Sequence, residues 1–164
     1  MKIKAAVLTV SDKGFAGQRT DASGPAIIQA LHELGIKVAD RVILPDERSQ
    51  IAGQLRLWAS EQAYDLVITT GGTGAAPRDW TPEATRDVIE REMPGLAELL
   101  RSEGARKTPL AALSRGIAGL CGHCLIINLP GSPRAVREGM EILAPVLVHA
   151  LQMACGENLE HGAA

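Results

Sequence analysis

The sequence predicts an α/β fold in three layers, α/β/α, with a mostly parallel central sheet. Three observations carry the expectation. Short β-branched runs alternate with amphipathic helical stretches along the whole chain. The runs are continuously apolar, as in strands covered on both faces. The 164 residues, 46% hydrophobic and 22% charged, suit one core, with no repeat, low-complexity tract or long linker. One domain over residues 1–164 is expected, the last few residues forming a flexible tail.

Each element has its own signal. Ala5–Val10 reads as a buried strand. Ser23-Gly24-Pro25 opens a helix, with Ser23 as a cap and Pro25 in the first turn. Ile27, Leu31 and Leu34 share one face, and Gly35 ends it. Lys37–Leu44 is the second strand; Pro45-Asp46 breaks it, and Asp46 stands where it could cap the helix carrying Ile51, Leu55 and Trp58. Leu66–Thr70 is the third strand and runs into Gly71-Gly72-Thr73-Gly74. Thr81-Pro82-Glu83 supplies cap, proline and early carboxylate for another helix start, and helix is expected on to about Gly104. Leu125–Leu129 is a further strand. After Pro130-Gly131-Ser132-Pro133, a long helix carries Val136, Met140, Leu143, Leu147 and Leu151 in register, with Pro145 placed to kink it.

Composition excludes several functions. Lys plus Arg is 17 and Asp plus Glu 19, for a formal charge of -2, which gives no electrostatic case for binding nucleic acid or an anionic membrane. At 2% aromatic residues, a base-stacking platform is excluded. The N-terminal apolar run is too short for a signal sequence, and no stretch reaches the ~20 apolar residues of a membrane span. An odd count of 3 cysteines argues for a reducing cytoplasm. Cys121-Gly122-His123-Cys124 has the spacing of a redox pair or half a zinc site, but the apolar run from Cys124 favours a turn feeding a buried strand. His32, His149 and His161 read as surface or packing residues.

In a doubly covered sheet the ligand crevice lies beyond the carboxyl ends of the strands. Ser11-Asp12, Asp46, Gly71–Gly74 and Pro130–Ser132 all follow strands there. Three glycines in four positions clear side chains from the backbone, so Thr70–Gly74 can form an anion-binding nest with the Thr70 and Thr73 hydroxyls as extra donors. The segment is neither a Walker A loop nor G-x-G-x-x-G, so dinucleotide binding has no specific support. Without a P-loop lysine, Mg²⁺ held by carboxylates is the usual counter-charge. Asp79 and Asp46 suit metal coordination or phosphoryl ordering, with helix capping as the alternative. Asp12 and Asp21 flank the Gly14–Thr20 loop, which reads as a lid or an irregular connection. Ser114-Arg115 could meet a phosphate or cap the surface. Asn128, inside an apolar strand, needs a partner: a ligand or a neighbouring loop. Gly131-Ser132 makes a second potential nest.

Thr9-Val10-Ser11-Asp12, Pro45-Asp46-Glu47, Thr69–Gly74, Asp79 with Thr81-Pro82-Glu83, Ser114-Arg115 and Asn128-Leu129-Pro130-Gly131 stand in the order and spacing of the molybdopterin adenylyltransferase family, of Mog/MoaB type and related to the gephyrin N-terminal domain. The resemblance covers about residues 4 to 155. It implies Mg²⁺- and ATP-dependent transfer of AMP onto the terminal phosphate of molybdopterin with release of pyrophosphate, in a homotrimer that hands its product to a molybdate-inserting protein. It also implies a phosphate cradle at Thr70, Gly71, Gly72, Thr73 and Gly74, and essential acids at Asp46 and Asp79. Ser11, Asp12, Ser114, Asn128, Pro130, Gly131 and Ser132 fall where the pterin and phosphate are gripped. Metal ligands are not assigned. A non-catalytic molybdopterin carrier of the same family is the alternative; retention of both acids favours the enzyme.

Overall fold

The computed structural model describes residues 2–156; the expected tail and His161 lie outside the described residues. Six strands form one sheet in the order β2-β1-β3-β6-β5-β4. β1 (Lys4–Val10), β2 (Lys37–Leu44), β3 (Leu66–Thr70) and β6 (Cys124–Leu129) are mutually parallel. β5 (Ala118–Cys121) runs antiparallel to both β6 and the two-residue β4 (Arg91–Glu92). The sequence reading missed β4 and β5: they are short, and the sequence around β4 is polar.

Alternation along the parallel strands divides the core in two. Ala5, Val7, Leu66, Ile68, Leu125 and Ile127 face the layer of α2 (Ser23–Glu33), α5 (Pro94–Lys107) and α6 (Pro133–Ala154). Ala6, Leu8, Val10, Val67 and Ile126 face the layer of α3 (Arg48–Arg56), its π-helical extension Leu57–Glu61, and α4 (Thr81–Arg86). Strands sandwiched this way cannot alternate with polar residues, which is why they were legible as apolar runs. Trp58 is fully buried and donates its indole N–H to Asp40 Oδ2 at 3.0 Å, satisfying the polar atom it carries into the core.

The α6 residues expected in register, Val136, Met140, Leu143, Leu147 and Leu151, are all buried, and Pro145 lies within the helix. Cys121 and Cys124 face each other across the β5–β6 turn, where Gly122 takes φ +57°. Burial first, then the neighbouring Cys121, Asp65 and Cys155, pushes the Cys124 thiol up to about 12. That opposes the thiolate needed for exchange chemistry, and the turn reading holds.

Two expected caps are replaced. Asp21, not Ser23, satisfies the start of α2: its Oδ1 accepts the Ser23 and Gly24 amides, each at 3.0 Å. The Ser23 hydroxyl instead donates to the Gly131 carbonyl at 2.8 Å, tying α2 to the loop after β6. Thr81 does not cap α4; its buried hydroxyl donates to the Gly71 carbonyl at 2.8 Å. Both residues bind loops at the carboxyl edge of the sheet together.

Candidate functional site

The segments after β1, β2, β3 and β6 converge on one cleft of about 580 Å³ at the carboxyl edge of the parallel strands. Ser11, Arg19, Asp21, Asp46, Thr70, Gly71, Gly72, Asp79, Gly131 and Ser132 line it. The segment after β1, expected as a lid or irregular connection, forms a short helix α1 (Asp12–Phe15) followed by turns.

The glycine loop is built by turning its carbonyls inward. Gly71 O accepts the Thr81 hydroxyl, Gly72 O the Thr81 amide at 3.1 Å, Thr73 O the Arg115 amide at 2.8 Å, and Gly74 O the Arg115 Nε at 2.7 Å. With four successive carbonyls anchored to α4 and Arg115, the amides of Gly72, Thr73 and Gly74 find no acceptor among the described residues. Such uncommitted N–H groups make a partial positive concavity suited to an anion. Glycine is required here. Gly71 and Gly72 sit at φ +94° and +65°, and a Cβ would strike the Val10 carbonyl in one case and the Thr81 hydroxyl in the other.

Two acids stand beside this loop. A Cβ on Gly72 would come within 3.2 Å of Asp46 Oδ1, and one on Gly74 within 2.8 Å of Asp79 Oδ2. Asp46 does not cap α3, whose start has no side-chain cap. It exchanges bonds with Asp12 instead: the Asp12 amide donates to Asp46 Oδ2 at 2.9 Å and the Asp46 amide to Asp12 Oδ1 at 3.0 Å. Burial raises the Asp46 carboxyl above the usual carboxylate range. The Asp12 amide works against the shift, and the negative charges of Asp12 and Asp79 add to it. A carboxylate under that pressure gains from a nearby cation. Among the described residues no three His, Cys, Asp or Glu are grouped to hold a metal by themselves. A magnesium ion carried mainly by phosphate oxygens and water, with one or two carboxylates, still fits Asp46 and Asp79.

Other expected residues take different parts. Asp12 receives a two-pronged bond from Arg78 at 2.7 and 3.0 Å; that bond first, then the Asp46 amide, holds its carboxyl below the usual range. Arg78 also reaches Glu47 at 3.1 Å, so one cation ties the loop before Asp79 to the loops after β1 and β2. Asp21 is a strut: beside the α2 amides it accepts the Thr9 hydroxyl at 2.7 Å and Arg41 at 2.8 Å. Burial alone would raise its carboxyl, but these donors hold it low.

Thr70, expected to donate to a ligand, donates to the Pro130 carbonyl at 2.7 Å and locks two site loops together. Ser132 caps α6 by accepting the Ala135 amide at 3.1 Å, and Ser11 caps α1 through the Gly14 amide at 3.0 Å. Asn128 has all its side-chain polar atoms partnered within the chain. It is 2% exposed; its carbonyl accepts the Ile117 amide at 3.2 Å, and its NH₂ donates to Thr69 and Thr85 hydroxyls, each at 3.0 Å. Thr85 in turn donates to Thr81 O at 2.8 Å, so a buried chain runs from β6 to the residue that anchors the glycine loop. Arg115, read as meeting a phosphate or capping the surface, is spent on Gly74 O, Asp79 O and Glu83.

Ser114 lines a second cleft of about 360 Å³ with Leu110, Leu113 and Pro130. Leu110 and Leu113, in the 3₁₀ turn Pro109–Leu113, are 71% and 65% exposed. Gly72, Asp79 and Gly131 line both clefts and form their common wall. The sequence reading gave Thr81 only a capping task and did not single out Thr85 or Arg19. Thr81 and Thr85, one helical turn apart, carried a weak signal of a polar buried stripe; Arg19 carried none.

Residues 6–149 match the family described as "Probable molybdopterin binding domain". The chain belongs to that family. Molybdopterin adenylyltransferase from Helicobacter pylori strain J99 is 39% identical over 160 residues, covering 96% of this chain and 91% of that protein. Molybdenum cofactor synthesis protein cinnamon from Drosophila melanogaster is 42% identical over 149 residues; the match takes in 90% of this chain but only 25% of cinnamon, so the chain spans about a quarter of that relative. Among solved structures, the molybdopterin biosynthesis enzyme MoaB from Thermus thermophilus superposes with a TM-score of 0.90 at 54% identity, covering 94% of this chain and 97% of that one. Membership of the molybdopterin-binding family is consistent with the fold, which the MoaB structure shares.

Proposed function

We propose that this chain is a molybdopterin adenylyltransferase of molybdenum cofactor biosynthesis. It transfers AMP from ATP to the terminal phosphate of molybdopterin and releases pyrophosphate. The observation that carries this reading is the common wall: two clefts meet at Gly72, Asp79 and Gly131, so two substrates can approach each other across one phosphate-binding loop. The larger cleft, with Asp46 and the Gly72 amide on the wall it shares with the smaller one, suits the triphosphate. The smaller, with Leu110, Leu113 and Ser114, suits a heterocycle with a polar edge.

In this reading an oxygen of the molybdopterin phosphate attacks the α-phosphorus, and the bond to the bridging oxygen breaks to release pyrophosphate. The reaction asks the protein for positioning and electrostatics. The Gly72–Gly74 amides receive charge as it develops on phosphate oxygens. Asp46 and Asp79 would hold Mg²⁺, which supplies charge neutralisation to the polyphosphate when bound. Arg115 and Thr81 keep the loop's carbonyls turned away, so no negative dipole opposes the anion. Delivery to a molybdate-inserting protein and assembly as a homotrimer in the cytoplasm belong to the same reading.

Pyrophosphate release tests it. Release that requires ATP, Mg²⁺ and molybdopterin together, and that collapses in Asp79→Asn with the fold intact, is the expected result. Tight molybdopterin binding with no AMP transfer under any condition would make the chain a carrier instead.

A further inference from the structure

We infer that Arg19 closes on a substrate phosphate in the larger cleft and is this chain's replacement for the missing P-loop lysine. The inference rests on the adenylyl-transfer reading for the identity of the phosphates, but not for the presence of an anion site.

Three other cations near the cleft are committed. Arg41 is bound to Asp21 at 2.8 Å, and Arg78 to Asp12 and Glu47. Arg115 is bound to Glu83 and to two loop carbonyls. Arg19 lines the same cleft, yet its guanidinium makes no ion pair or hydrogen bond among the described residues; only its backbone is fixed, donating to Lys13 O at 3.2 Å. The cleft meanwhile carries Asp46 and Asp79. With Asp21 in the same lining, a polyphosphate there stands beside three carboxylates. A magnesium ion offsets part of that repulsion, and a planar guanidinium with paired donors offsets more while binding phosphate oxygens two at a time.

Placement supports the assignment. Arg19 and Thr20 line the cleft from the segment after α1, and Gly71 and Gly72 line it from the loop after β3. Ser11 and Ser132, whose hydroxyls accept the Gly14 and Ala135 amides, lie in the same lining. An anion there is gripped from two sides, one rigid and built of backbone, the other a side chain free to swing. Because Arg19 spends nothing on the fold, its removal should cost no stability.

The test is equilibrium dialysis of wild type, Arg19→Ala and Arg19→Lys against ATP, pyrophosphate and molybdopterin separately, with steady-state kinetics alongside. Arg106→Ala, an exposed side chain of α5, controls for loss of one positive charge. In Arg19→Ala, Kd for the phosphate-bearing partner should rise roughly 10- to 100-fold, the scale of a charged hydrogen-bonded contact. KM should follow it, kcat should change less than about 3-fold, and Tm should not move. Arg19→Lys should recover part of the loss, since lysine restores charge but not the fork. Weakening of ATP and pyrophosphate together assigns Arg19 to the triphosphate; weakening of molybdopterin alone assigns it to the acceptor phosphate. Unchanged affinity for all three ligands overturns the proposal, whether or not the wild type transfers AMP. Wild-type binding without transfer would sink the adenylylation reading while leaving Arg19 to be judged on affinity alone.

Discussion

Asn128→Ala separates the two parts this residue could play. The side chain is buried and makes three hydrogen bonds, accepting from the Ile117 amide and donating to Thr69 and Thr85. Truncation leaves the Ile117 N–H without its acceptor, a loss of about 1–3 kcal/mol for a buried donor. Each lost bond to a threonine hydroxyl costs about 0.5–1.5 kcal/mol. A total near 3–4 kcal/mol is a large share of the ~5–15 kcal/mol that holds a domain together. At about 2–4 °C per kcal/mol for a chain of this length, Tm should fall by about 6–16 °C. Calorimetry or circular dichroism reads it directly, and urea titration should show a lower midpoint at an unchanged slope. A variant that melts within about 1 °C of wild type yet loses affinity for ATP or molybdopterin would refute the reasoning and make Asn128 a ligand contact.

Three further outcomes follow from the same geometry. Asp46→Asn should lower AMP transfer at least ~100-fold while Tm holds or rises, because it removes a carboxyl whose ionised form is opposed by burial and by Asp12 and Asp79; a fall in both would mean the carboxylate is structural. Thr81→Val should cost about 1–2 kcal/mol, read by urea titration, and raise KM for ATP, since it frees the Gly71 carbonyl that the hydroxyl anchors. Asp21 has its carboxyl held below 3.8, so its stabilising contribution is full above that value and is lost as pH falls through the lower folded one. Asp21→Asn should therefore be less stable than wild type at pH 7, and its Tm should drop less steeply on acidification below about pH 4.

What the sequence made legible was what local pattern controls. β1, β3 and β6 announced themselves because each is a nearly continuous buried run, β2 by its β-branched residues despite Lys37, Asp40 and Arg41, and the glycine loop because two of its residues need positive φ. The convergence of Asp46, Asp79 and Gly71–Gly74 was legible through topology, since short loops at one edge of a parallel sheet must meet. Partner choice was not legible. Thr70, Thr81 and Ser23 were each given local or ligand-facing tasks, but all three reach across the chain to loop carbonyls. Asp12 and Arg115 bind Arg78 and Glu83, pairings that no sequence spacing announces. A side chain with several acceptable partners is assigned by the tertiary fold, and sequence spacing carries no record of which one wins. The antiparallel pair β4–β5 escaped for a related reason: two to four residues at a sheet edge hold too little periodicity to be seen.

The most direct measurement of the central claim is mass analysis of molybdopterin after a single turnover with stoichiometric protein, ATP and Mg²⁺. A pterin heavier by one AMP moiety, formed in step with pyrophosphate and missing when Asp79 is asparagine, is what two clefts sharing Gly72, Asp79 and Gly131 predict. Unmodified pterin recovered quantitatively from a complex that has bound both substrates would contradict it.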